Sequence, residues 1–489
     1  MHSKHGFALV CLGLMGCAEP DLAPDTVKAH ACAPGVAQRV KVVMPPGDDP
    51  PWDEPAPENL VDAQGTLYFA VNFRDGRSAL WRSDGSDAGT FPVKSFPAVT
   101  PRRSRGLGGL VPVGNQVFFQ MWNPDTGNEL WVSDGTEAGT HLVADLMPGT
   151  AGSSLPLPTA LAGALSFFRV TPVVGGTQVE LWRSDGTASG TVQVVDFGVL
   201  AALQGQGLRV GDALLFFLVG PGSSTTLWRT DGTASGTSFI KRLDAEGALL
   251  GDVRSPDSGA PGLFTLFDGP NTEVWKTDGS PTGTVRLDAF GRRMRLLGAL
   301  GPSVYLTSSD ETTRRMGLYG LSLAGGGKAT VKVLPNPYAD QHGTTPYLQD
   351  TASSYGRLYF SVAIGSPFPG PAALRVGLWV TDGTAARTVQ LPVELSISEY
   401  YGSPLYATGM GAVLFGGATA ATAYNEPWVT RGTAASTGQA ADISGGGSSP
   451  QGFTRVGERV YFSAKDDTSE PQLWSLPADL ACPPGPAPE

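Results

Sequence analysis

Charged residues, histidines and helical patterns are scarce in this chain of 489 residues. Asp, Glu, Lys and Arg together make up 16% of the sequence, and there are five His. Long stretches with the 3.6-residue apolar period of an amphipathic helix are missing, while short apolar runs bounded by turn-forming residues recur. Gly and Pro number 65 and 40, and hydrophobic residues reach 41%. The composition therefore predicts an all-β, turn-rich protein and excludes a disordered chain.

Basic clusters are also lacking. The net charge is −11 and the pI is near 5.0. The densest basic stretches, residues 101–106 and 291–296, are short and isolated. An acidic chain without basic clusters repels phosphate backbones, so we expect no nucleic-acid partner.

Signatures of common catalytic sites are absent from the sequence. His2 and His5 lie in the N-terminal segment and His30 follows it, which leaves His141 and His342, far apart along the chain. There is no HExxH, no GxSxG, no phosphate-binding loop and no zinc-spaced Cys pair. We therefore expect no enzyme activity, no metal and no cofactor, although hydrolysis by carboxylates alone stays open.

Residues 1–17 have the pattern of an export signal. Lys4 gives a charged start, and the apolar run from Phe7 to Met15 is too short to span a bilayer. The run ends in Leu-Met-Gly-Cys, which resembles the bacterial lipobox and implies a signal peptide of residues 1–16. The resemblance implies that Cys17 carries acyl chains, which would anchor the protein to the membrane, and that residues 17–37 form a tether. An ordinary secretory signal that is cut elsewhere is the alternative.

Cysteine usage is consistent with export. Of the four Cys, Cys11 lies in the signal and Cys17 in the lipobox, so that Cys32 and Cys482 remain at the two ends of the folded region. An exported protein reaches an oxidising compartment, in which we expect these two residues to form a disulfide. Two free thiols are the alternative.

One sequence motif, which we call the phrase, recurs along the chain about every 49 residues. It is ELWVSDGTEAGT at residues 129–140 and ELWRSDGTASGT at residues 180–191. Eight of the ten Trp occupy the same position of this phrase, which indicates a repeated structural unit. The Trp of the phrase defines nine repeats, and in the decayed repeat 6 Tyr319 takes the Trp position. The eight Trp are Trp81, Trp131, Trp182, Trp228, Trp275, Trp379, Trp428 and Trp474.

Each repeat predicts four short strands. An apolar doublet such as Phe118-Phe119 follows a Gly-rich turn, the Trp strand comes next, and a β-branched run follows the Asp-Gly of the phrase, which is a hairpin-turn signal. Adjacent residues such as Leu130 and Trp131 point to opposite faces of a strand, so both faces must be covered. Four-stranded sheets packed radially against one another satisfy this requirement, as in a β-propeller.

The strand count predicts how the ring closes. Nine repeats supply their first three strands, but only eight outer strands follow a Trp phrase, and residues 38–44 can supply the ninth. We therefore predict a single closed β-propeller of about nine four-stranded blades over residues 38–482, with the N-terminal strand completing the last blade. The count falls to eight if the repeat near Tyr319 is lost, and residues 483–489 form a Pro-rich tail.

The phrases resemble the ELWxxDGT repeat of exported bacterial proteins that are common in myxobacteria and their relatives. The resemblance covers about residues 38–477 and implies a propeller-like structure and a surface location, but no catalytic residues. The chain departs from the pattern near Gly317, where the Trp and the Asp-Gly-Thr are lost, and at Arg431, which replaces the Asp.

Two residue types of the phrase are candidate site residues. Packing between blades is the expected role of the Trp, and an aromatic platform for sugars or methylated cations is the alternative. Hydrogen bonding within the turn is the expected role of the Asp, and calcium binding is the alternative, for which the acidic connections at residues 121–129 and 464–470 are better candidates. The repeated aspartates are Asp84, Asp134, Asp185, Asp231, Asp278 and Asp382.

The sequence thus predicts a monomeric lipoprotein that is anchored to the cell envelope, at the outer membrane or cell surface, and acts as a binding or scaffold propeller. Its partner would be a protein or a glycan at loops where the repeats differ, first of all residues 362–377. The alternatives are a carbohydrate-active enzyme that uses carboxylates of the central channel, and an adhesin stabilised by Ca²⁺.

Overall fold

The computed structural model describes residues 30–31, 36–45, 56–98, 106–243, 249–255, 260–267, 271–291, 294–365, 375–395, 404–419 and 422–481. These residues form antiparallel sheets joined by turns, with one short 3-10 helix at Ala434–Ser436. The predicted all-β fold is therefore confirmed. In the same ranges, no helix has the length and apolar character needed to cross a membrane.

Repeats 1 to 3 each form one four-stranded sheet whose strands are hydrogen-bonded in sequence order. The strands of repeat 1 are Pro57–Ala63, Thr66–Asn72, Ser78–Ser83 and Phe91–Phe96. Those of repeat 2 are Leu107–Val113, Gln116–Asn123, Gly127–Ser133 and His141–Ala144. Those of repeat 3 are Thr159–Leu161, Ala164–Val173, Gly176–Ser184 and Val192–Leu200.

Repeats 4 to 6 follow the same order, and the first strand of repeat 4 is split in two. The strands of repeat 4 are Ala202–Leu203, Leu208–Val210, Ala213–Val219, Thr225–Thr230 and Ser238–Leu243. Those of repeat 5 are Leu249–Arg254, Gly262–Phe267, Asn271–Thr277 and Val285–Gly291. Those of the decayed repeat 6 are Met294–Leu300, Ser303–Asp310, Arg315–Ser322 and Ala329–Leu334, so this repeat keeps its own sheet.

Repeats 7 and 8 share one nine-stranded sheet, because Glu394 and Leu395 of repeat 7 pair with Ala418 and Gly417 of repeat 8. The strands of repeat 7 are Pro346–Ser354, Arg357–Ile364, Arg375–Thr381 and Val389–Leu395. Those of repeat 8 are Tyr406–Ala407, Val413–Thr419, Thr422–Thr430 and Thr437–Gln439. The irregularity of the repeat series thus lies at this junction and not at repeat 6.

Repeat 9 supplies Gln451–Val456, Arg459–Lys465 and Pro471–Pro477. Its fourth strand is Gln38–Lys41, which pairs antiparallel with Pro471–Pro477 so that Arg39 lies opposite Trp474. This pairing is the one that the strand count predicts.

The N-terminal segment departs from the expected tether at one point. His30–Ala31 forms a two-residue strand parallel to the last strand of repeat 8, opposite Gly438 and Gln439. The outer edge of that sheet offers unpaired backbone groups, which accounts for the addition of a further strand.

The Trp phrase is covered on both faces of its strand, as its pattern predicts. In repeat 1, Leu80 packs in a cluster with Phe119 of repeat 2, while Trp81 packs in a cluster with Tyr461 of repeat 9. Phe69 lies opposite Trp81 and their rings stack at 5.9 Å between centroids. The hydrophobic core is therefore a series of clusters between sheets, each shared by two neighbouring repeats.

Candidate functional site

The sheets have two chemically different ends. Because neighbouring strands are antiparallel, the Asp-Gly loop between the third and fourth strands lies at the same end as the turn between the first two strands. We call this the Asp-Gly end. The connection between the second and third strands lies at the opposite end together with the linker to the next repeat, and we call this the linker end.

The repeated Asp organises its own loop. In repeat 2, Asp134 Oδ1 accepts hydrogen bonds from the backbone N–H of Thr136 at 2.9 Å and from its hydroxyl at 2.7 Å. The hydroxyl of Thr136 accepts from Gly139 N at 2.9 Å, and the hydroxyl of Thr140 donates to Thr136 O at 2.6 Å. A Cβ at Gly139 would overlap the Asp134 carboxylate. The loop spans residues 134–140 and is therefore longer than a tight hairpin turn.

The loops of repeats 1, 3, 4 and 5 have the same geometry. The side-chain hydroxyl and the backbone N–H two residues further on hold the pKa of these carboxyls below its usual range. This holds for Asp84, Asp134, Asp185, Asp231 and Asp278. Asp382 Oδ1 likewise accepts from Thr384 N at 3.0 Å and from its hydroxyl at 2.8 Å. These hydrogen bonds are the structural role expected from the turn chemistry.

Besides the decayed repeat 6, repeats 7 and 8 depart from this loop. In repeat 7, Arg387 stands where the other loops have the second Gly, and its Nε lies 3.6 Å from Asp382 Oδ2. In repeat 8, Arg431 replaces the Asp, and Thr433 and Ser436 form a reciprocal cap of the short helix. Arg431 instead donates to the carbonyl of Asp479 and, at 3.4 Å, to that of Leu480, which ties this loop to repeat 9.

The Trp residues of the phrase lie between sheets, but to different depths. Trp428 is 1% exposed, and Trp81, Trp275 and Trp379 are also buried. The other four, Trp131, Trp182, Trp228 and Trp474, are half-buried. Trp182 lies under the guanidinium of Arg169, 4.8 Å from its ring centroid.

Sequence reasoning gave no role to the first residue of the phrase. Glu129 is fully buried and accepts hydrogen bonds from Leu146 N at 3.0 Å, Met147 N at 3.3 Å and the hydroxyl of Ser153 at 2.9 Å. Burial raises the pKa of this carboxyl, and the three donors oppose that shift. Glu129 thereby fastens the end of the fourth strand and the following linker.

The same position in repeat 9 is occupied by Gln472. Its Oε1 accepts from Val43 N at 2.8 Å and Met44 N at 3.1 Å, and its amide donates to Met44 O at 2.9 Å. The N-terminal strand is therefore held in repeat 9 as the fourth strand is held in repeat 2. Period alone could not reveal this role, because the partners lie in the aperiodic linkers.

In the connection at residues 464–470, one of the two alternative metal sites, Asp466 and Glu470 are engaged by other protein groups. Asp466 accepts from the N–H and hydroxyl of Thr468 and pairs with Arg39 at 2.7 Å. Glu470 pairs with Arg74 of repeat 1 at 2.7 Å. The described ranges contain no group of three His, Cys, Asp or Glu side chains that could hold a metal ion.

A carboxylate of the innermost strands is also engaged. Asp252 accepts a bidentate pair from Arg295 of repeat 6, with distances of 2.8 to 3.0 Å, and a further bond from Leu296 N at 2.8 Å. Arg254 donates to Leu296 O at 3.0 Å, and desolvation lowers its pKa. These bonds join the innermost strands of repeats 5 and 6.

A groove of about 390 Å³ lies between repeats 1 and 2 at the linker end. Glu58 and Asn59 line it from the first strand of repeat 1, and Gln120, Trp122 and Asn128 from the second and third strands of repeat 2. Its volume falls within the roughly 300–1,000 Å³ of small-ligand sites. The groove is the candidate functional site, and sequence reasoning missed it because its lining comes from two repeats.

Several predicted residues lie outside the described part of the chain. These are the lipidation residue Cys17 and the disulfide residues Cys32 and Cys482. The variable connection at residues 362–377 is described only at its two ends, residues 362–365 and 375–377.

Comparison with known proteins finds no matching family model and no similar curated protein. Solved structures of similar fold include the β-propeller domain of the Trilobed protease from Pyrococcus furiosus, with 11% identity and a TM-score of 0.37 over 66% of this chain and 95% of that one. Dipeptidyl peptidase 4 of Porphyromonas gingivalis matches with 10% identity and a TM-score of 0.49 over 85% of this chain and 65% of that one. An oligogalacturonate lyase in complex with manganese matches with 14% identity and a TM-score of 0.35 over 64% and 85%.

The expectation that the chain has no enzyme activity is corrected by these similarities. The matching folds include those of peptidases, a puromycin hydrolase and a lyase, so a propeller-like fold gives no ground for excluding catalysis. The chain spans 55% of a matched prolyl endopeptidase and 65% of the dipeptidyl peptidase. At identities of 10% to 14% the likeness concerns the fold alone, and no activity is carried over.

Proposed function

We propose that this chain is an exported, lipid-anchored β-propeller of nine blades, closed into one ring, that binds a protein or glycan of the cell envelope through its linker end. Cys17 would carry the lipid, and the ring would present its partner-binding surface away from the repeated Asp-Gly loops. The observation that carries the proposal is the contrast between the two ends of the sheets: similar loops at the Asp-Gly end and varying connections at the linker end.

The closed ring is supported by contacts that repeat 9 makes with repeat 1. Lys94 of repeat 1 donates to Thr140 O in the Asp-Gly loop of repeat 2 at 2.7 Å, and Lys41 of repeat 9 donates to another carbonyl of the corresponding loop, Asp87 O of repeat 1, at 3.0 Å. Thr454 donates to Leu60 O at 3.0 Å, which joins the innermost strands of repeats 9 and 1. A junction that reuses the contacts of the other junctions is expected when a ring closes.

The count of nine is supported by the hydrophobic core. Among the described residues, clusters occur at each of the junctions between successive repeats and at the junction of repeat 9 with repeat 1. The junction of repeats 7 and 8 has its own cluster, in which Tyr359 and Leu378 meet Phe415 and Trp428. We therefore count the nine-stranded sheet as two blades.

Binding at the linker end is supported by the contrast between the ends. At the Asp-Gly end, the loops of repeats 1 to 5 make the same internal hydrogen bonds, so these loops are alike. At the linker end, the connections differ from repeat to repeat, and the groove between repeats 1 and 2 is lined by polar side chains. Variable loops on a rigid scaffold are where binding residues concentrate.

Two matched cysteine variants of repeat 2 test the binding surface. Asp125 is exposed at the linker end and Glu137 is exposed at the Asp-Gly end. The full chain in detergent is screened against arrays of glycans and of cell-envelope proteins, after a bulky maleimide is attached to Asp125→Cys or to Glu137→Cys. We expect the label at residue 125 to abolish binding of the partner and the label at residue 137 to leave it intact. The reverse pattern, or no bound partner on either array, would refute the proposal.

The lipid anchor is tested separately in cells. Metabolic labelling with palmitate should mark the chain, and the label should be lost in Cys17→Ala, because that residue would be the acylated one. Cys32→Ala serves as the control and should keep the label. Persistence of the label in Cys17→Ala would exclude the lipobox.

A further inference from the structure

The groove between repeats 1 and 2 contains an aromatic residue that the fold does not require. Trp122 is one of two Trp outside the repeated position, and it lines the groove half-buried. It stands four residues after the start of the apolar doublet, where repeat 1 has Asn72 and repeat 3 has Thr171. Since neighbouring blades form with small polar residues there, packing between blades does not explain a Trp.

Among the described residues, two amide side chains of the groove are held in place by hydrogen bonds to their oxygen atoms only. Asn59 lies in a β-bulge with a φ of 55°, and its Oδ1 accepts from Gly109 N at 3.3 Å. Gln120 Oε1 accepts from Asn128 Nδ2 at 2.7 Å. Within the described residues, the amide nitrogens of Asn59 and Gln120 have no protein partner, so each is an oriented donor.

An acceptor lies beside these two donors. Glu58 Oε1 accepts from Asn72 Nδ2 at 2.5 Å, and Asn72 is itself tied to Leu107 N and Leu107 O at 3.0 and 2.9 Å. This network fixes the carboxylate, whose second oxygen has no partner in the described part of the chain. The groove therefore combines one aromatic ring, two amide donors and one carboxylate acceptor, preorganised by their partners.

Charge narrows the class of ligand. Glu58 is the one charged side chain among the described lining residues, so this part of the lining has no cation that would attract a phosphate or another anion. A cation such as Ca²⁺ would need several converging oxygens, and a single carboxylate does not supply them. A ligand with an apolar face and a rim of neutral hydroxyls matches both the indole ring and the donors and acceptor.

We propose that this groove binds a neutral saccharide, whose pyranose ring stacks on Trp122 while its hydroxyls bond to Asn59, Gln120 and Glu58. The inference rests on the proposed binding function and names the ligand class for its linker end. A saccharide at this position touches both repeat 1 and repeat 2, so its binding depends on the junction between them.

The test uses the full chain in a detergent that carries no sugar, on an array of neutral and charged oligosaccharides. The neutral glycan with the strongest signal is then titrated against Trp122→Ala, Trp122→Phe and Gln120→Ala. Tyr355→Ala is the matched control, because Tyr355 is an exposed aromatic residue of the Asp-Gly end, 76% exposed. Thermal melting checks that each variant is folded.

We expect Trp122→Ala to weaken binding about tenfold or more, as for a central aromatic contact. Trp122→Phe should lose less, Gln120→Ala should lose several-fold, and Tyr355→Ala should bind as the wild type does. If Trp122→Ala fails to fold, Gln120→Ala decides the matter, and unchanged affinity in that variant overturns the proposal.

Two further outcomes overturn the inference. Equal affinity of the wild type and folded Trp122→Ala would mean that the glycan binds elsewhere. No binding of neutral glycans, with a protein partner still lost on labelling of Asp125→Cys, would refute the saccharide and leave the binding function standing. Absence of any partner on both arrays would refute both.

Discussion

At the scale of single residues, the repeated phrase is a set of mutual steric and hydrogen-bonding requirements. Asp134 binds Thr136 and Thr136 binds Gly139, and in this geometry a Cβ at Gly139 would overlap the Asp134 carboxylate. The residue types at these positions of the phrase therefore depend on one another. Repeat 7 shows how the loop adapts to a side chain at the Gly position: the bond from Arg387 N to the hydroxyl of Thr384 is 3.3 Å long, against 2.9 Å for the bond from Gly139 N in repeat 2.

Gly139→Ala should lower the free energy of unfolding by about 1–3 kcal/mol, because the new Cβ overlaps the Asp134 carboxylate. Chemical denaturation of the full chain measures this loss. Gly205→Ala is the control, since a Cβ at Gly205 meets nothing within 4 Å, and its stability should be unchanged or slightly raised. In Asp134→Ala, the added Gly139→Ala should cost less than it does alone. Equal costs in both backgrounds would contradict the proposed clash.

At the scale of elements, the residue that begins the phrase fastens the fourth strand in repeats 2 and 9. Glu129 fastens the fourth strand and linker of repeat 2, and Gln472 fastens the N-terminal strand to repeat 9 through backbone atoms of Val43 and Met44. A carboxylate and an amide thus accept hydrogen bonds from backbone N–H groups at equivalent positions. What repeats 2 and 9 share at this position is the acceptor oxygen and not the negative charge.

Glu129→Gln should change the free energy of unfolding by less than about 1 kcal/mol, because the amide oxygen can still accept from Leu146 N while the amide nitrogen donates to the hydroxyl of Ser153. The raised pKa of Glu129 means that its buried charge costs stability at neutral pH, so the Gln variant is expected to be neutral or slightly stabilised there. Glu129→Ala leaves buried donors unpaired and should cost about 2 kcal/mol or more. Thermal and urea unfolding distinguish the two.

Glu137→Ala is the control for this pair, since Glu137 is exposed in the same repeat and should change stability by about 0.5 kcal/mol or less. A Glu129→Gln variant as unstable as Glu129→Ala would mean that the charge itself is essential. That result would contradict the equivalence of Glu129 and Gln472.

The strands also show which structural features could be predicted from the sequence alone. Leu130 and Trp131 were predicted on opposite covered faces because the period of a strand is two residues, and the clusters at the two junctions confirm this. The fourth strand of repeat 9 was predictable by counting. The partners of Glu129 were not, because they lie in a linker without period, and the groove was not, because its walls come from two repeats.

At the scale of the whole molecule, the two chain ends meet the last repeats. Ala31 lies opposite Gln439 of repeat 8, and Arg431 of the same repeat donates to the carbonyls of Asp479 and Leu480. The residues that precede Cys32 and Cys482 thus both reach repeat 8. Cys32 and Cys482 themselves lie outside the described residues, and the disulfide between them stays a prediction.

A thiol assay on the exported chain, unfolded without reductant, should find no free thiol, because Cys17 would be lipidated and Cys32 bonded to Cys482. Reduction should lower stability by up to about 5 kcal/mol, the chain-entropy figure for so long a loop. Cys32→Ala should expose one thiol, that of Cys482. Two reactive thiols in the unreduced wild type would refute the disulfide.

The central claim is that nine repeats form one closed ring that the N-terminal strand completes. An experimental structure of the full chain in detergent, by crystallography or electron cryomicroscopy, tests this claim most directly. The account predicts nine sheets around one channel, with Gln38–Lys41 paired to Pro471–Pro477 and Thr454 bonded to Leu60 across the closure. Eight or ten blades, or a gap between repeat 9 and repeat 1, would contradict it.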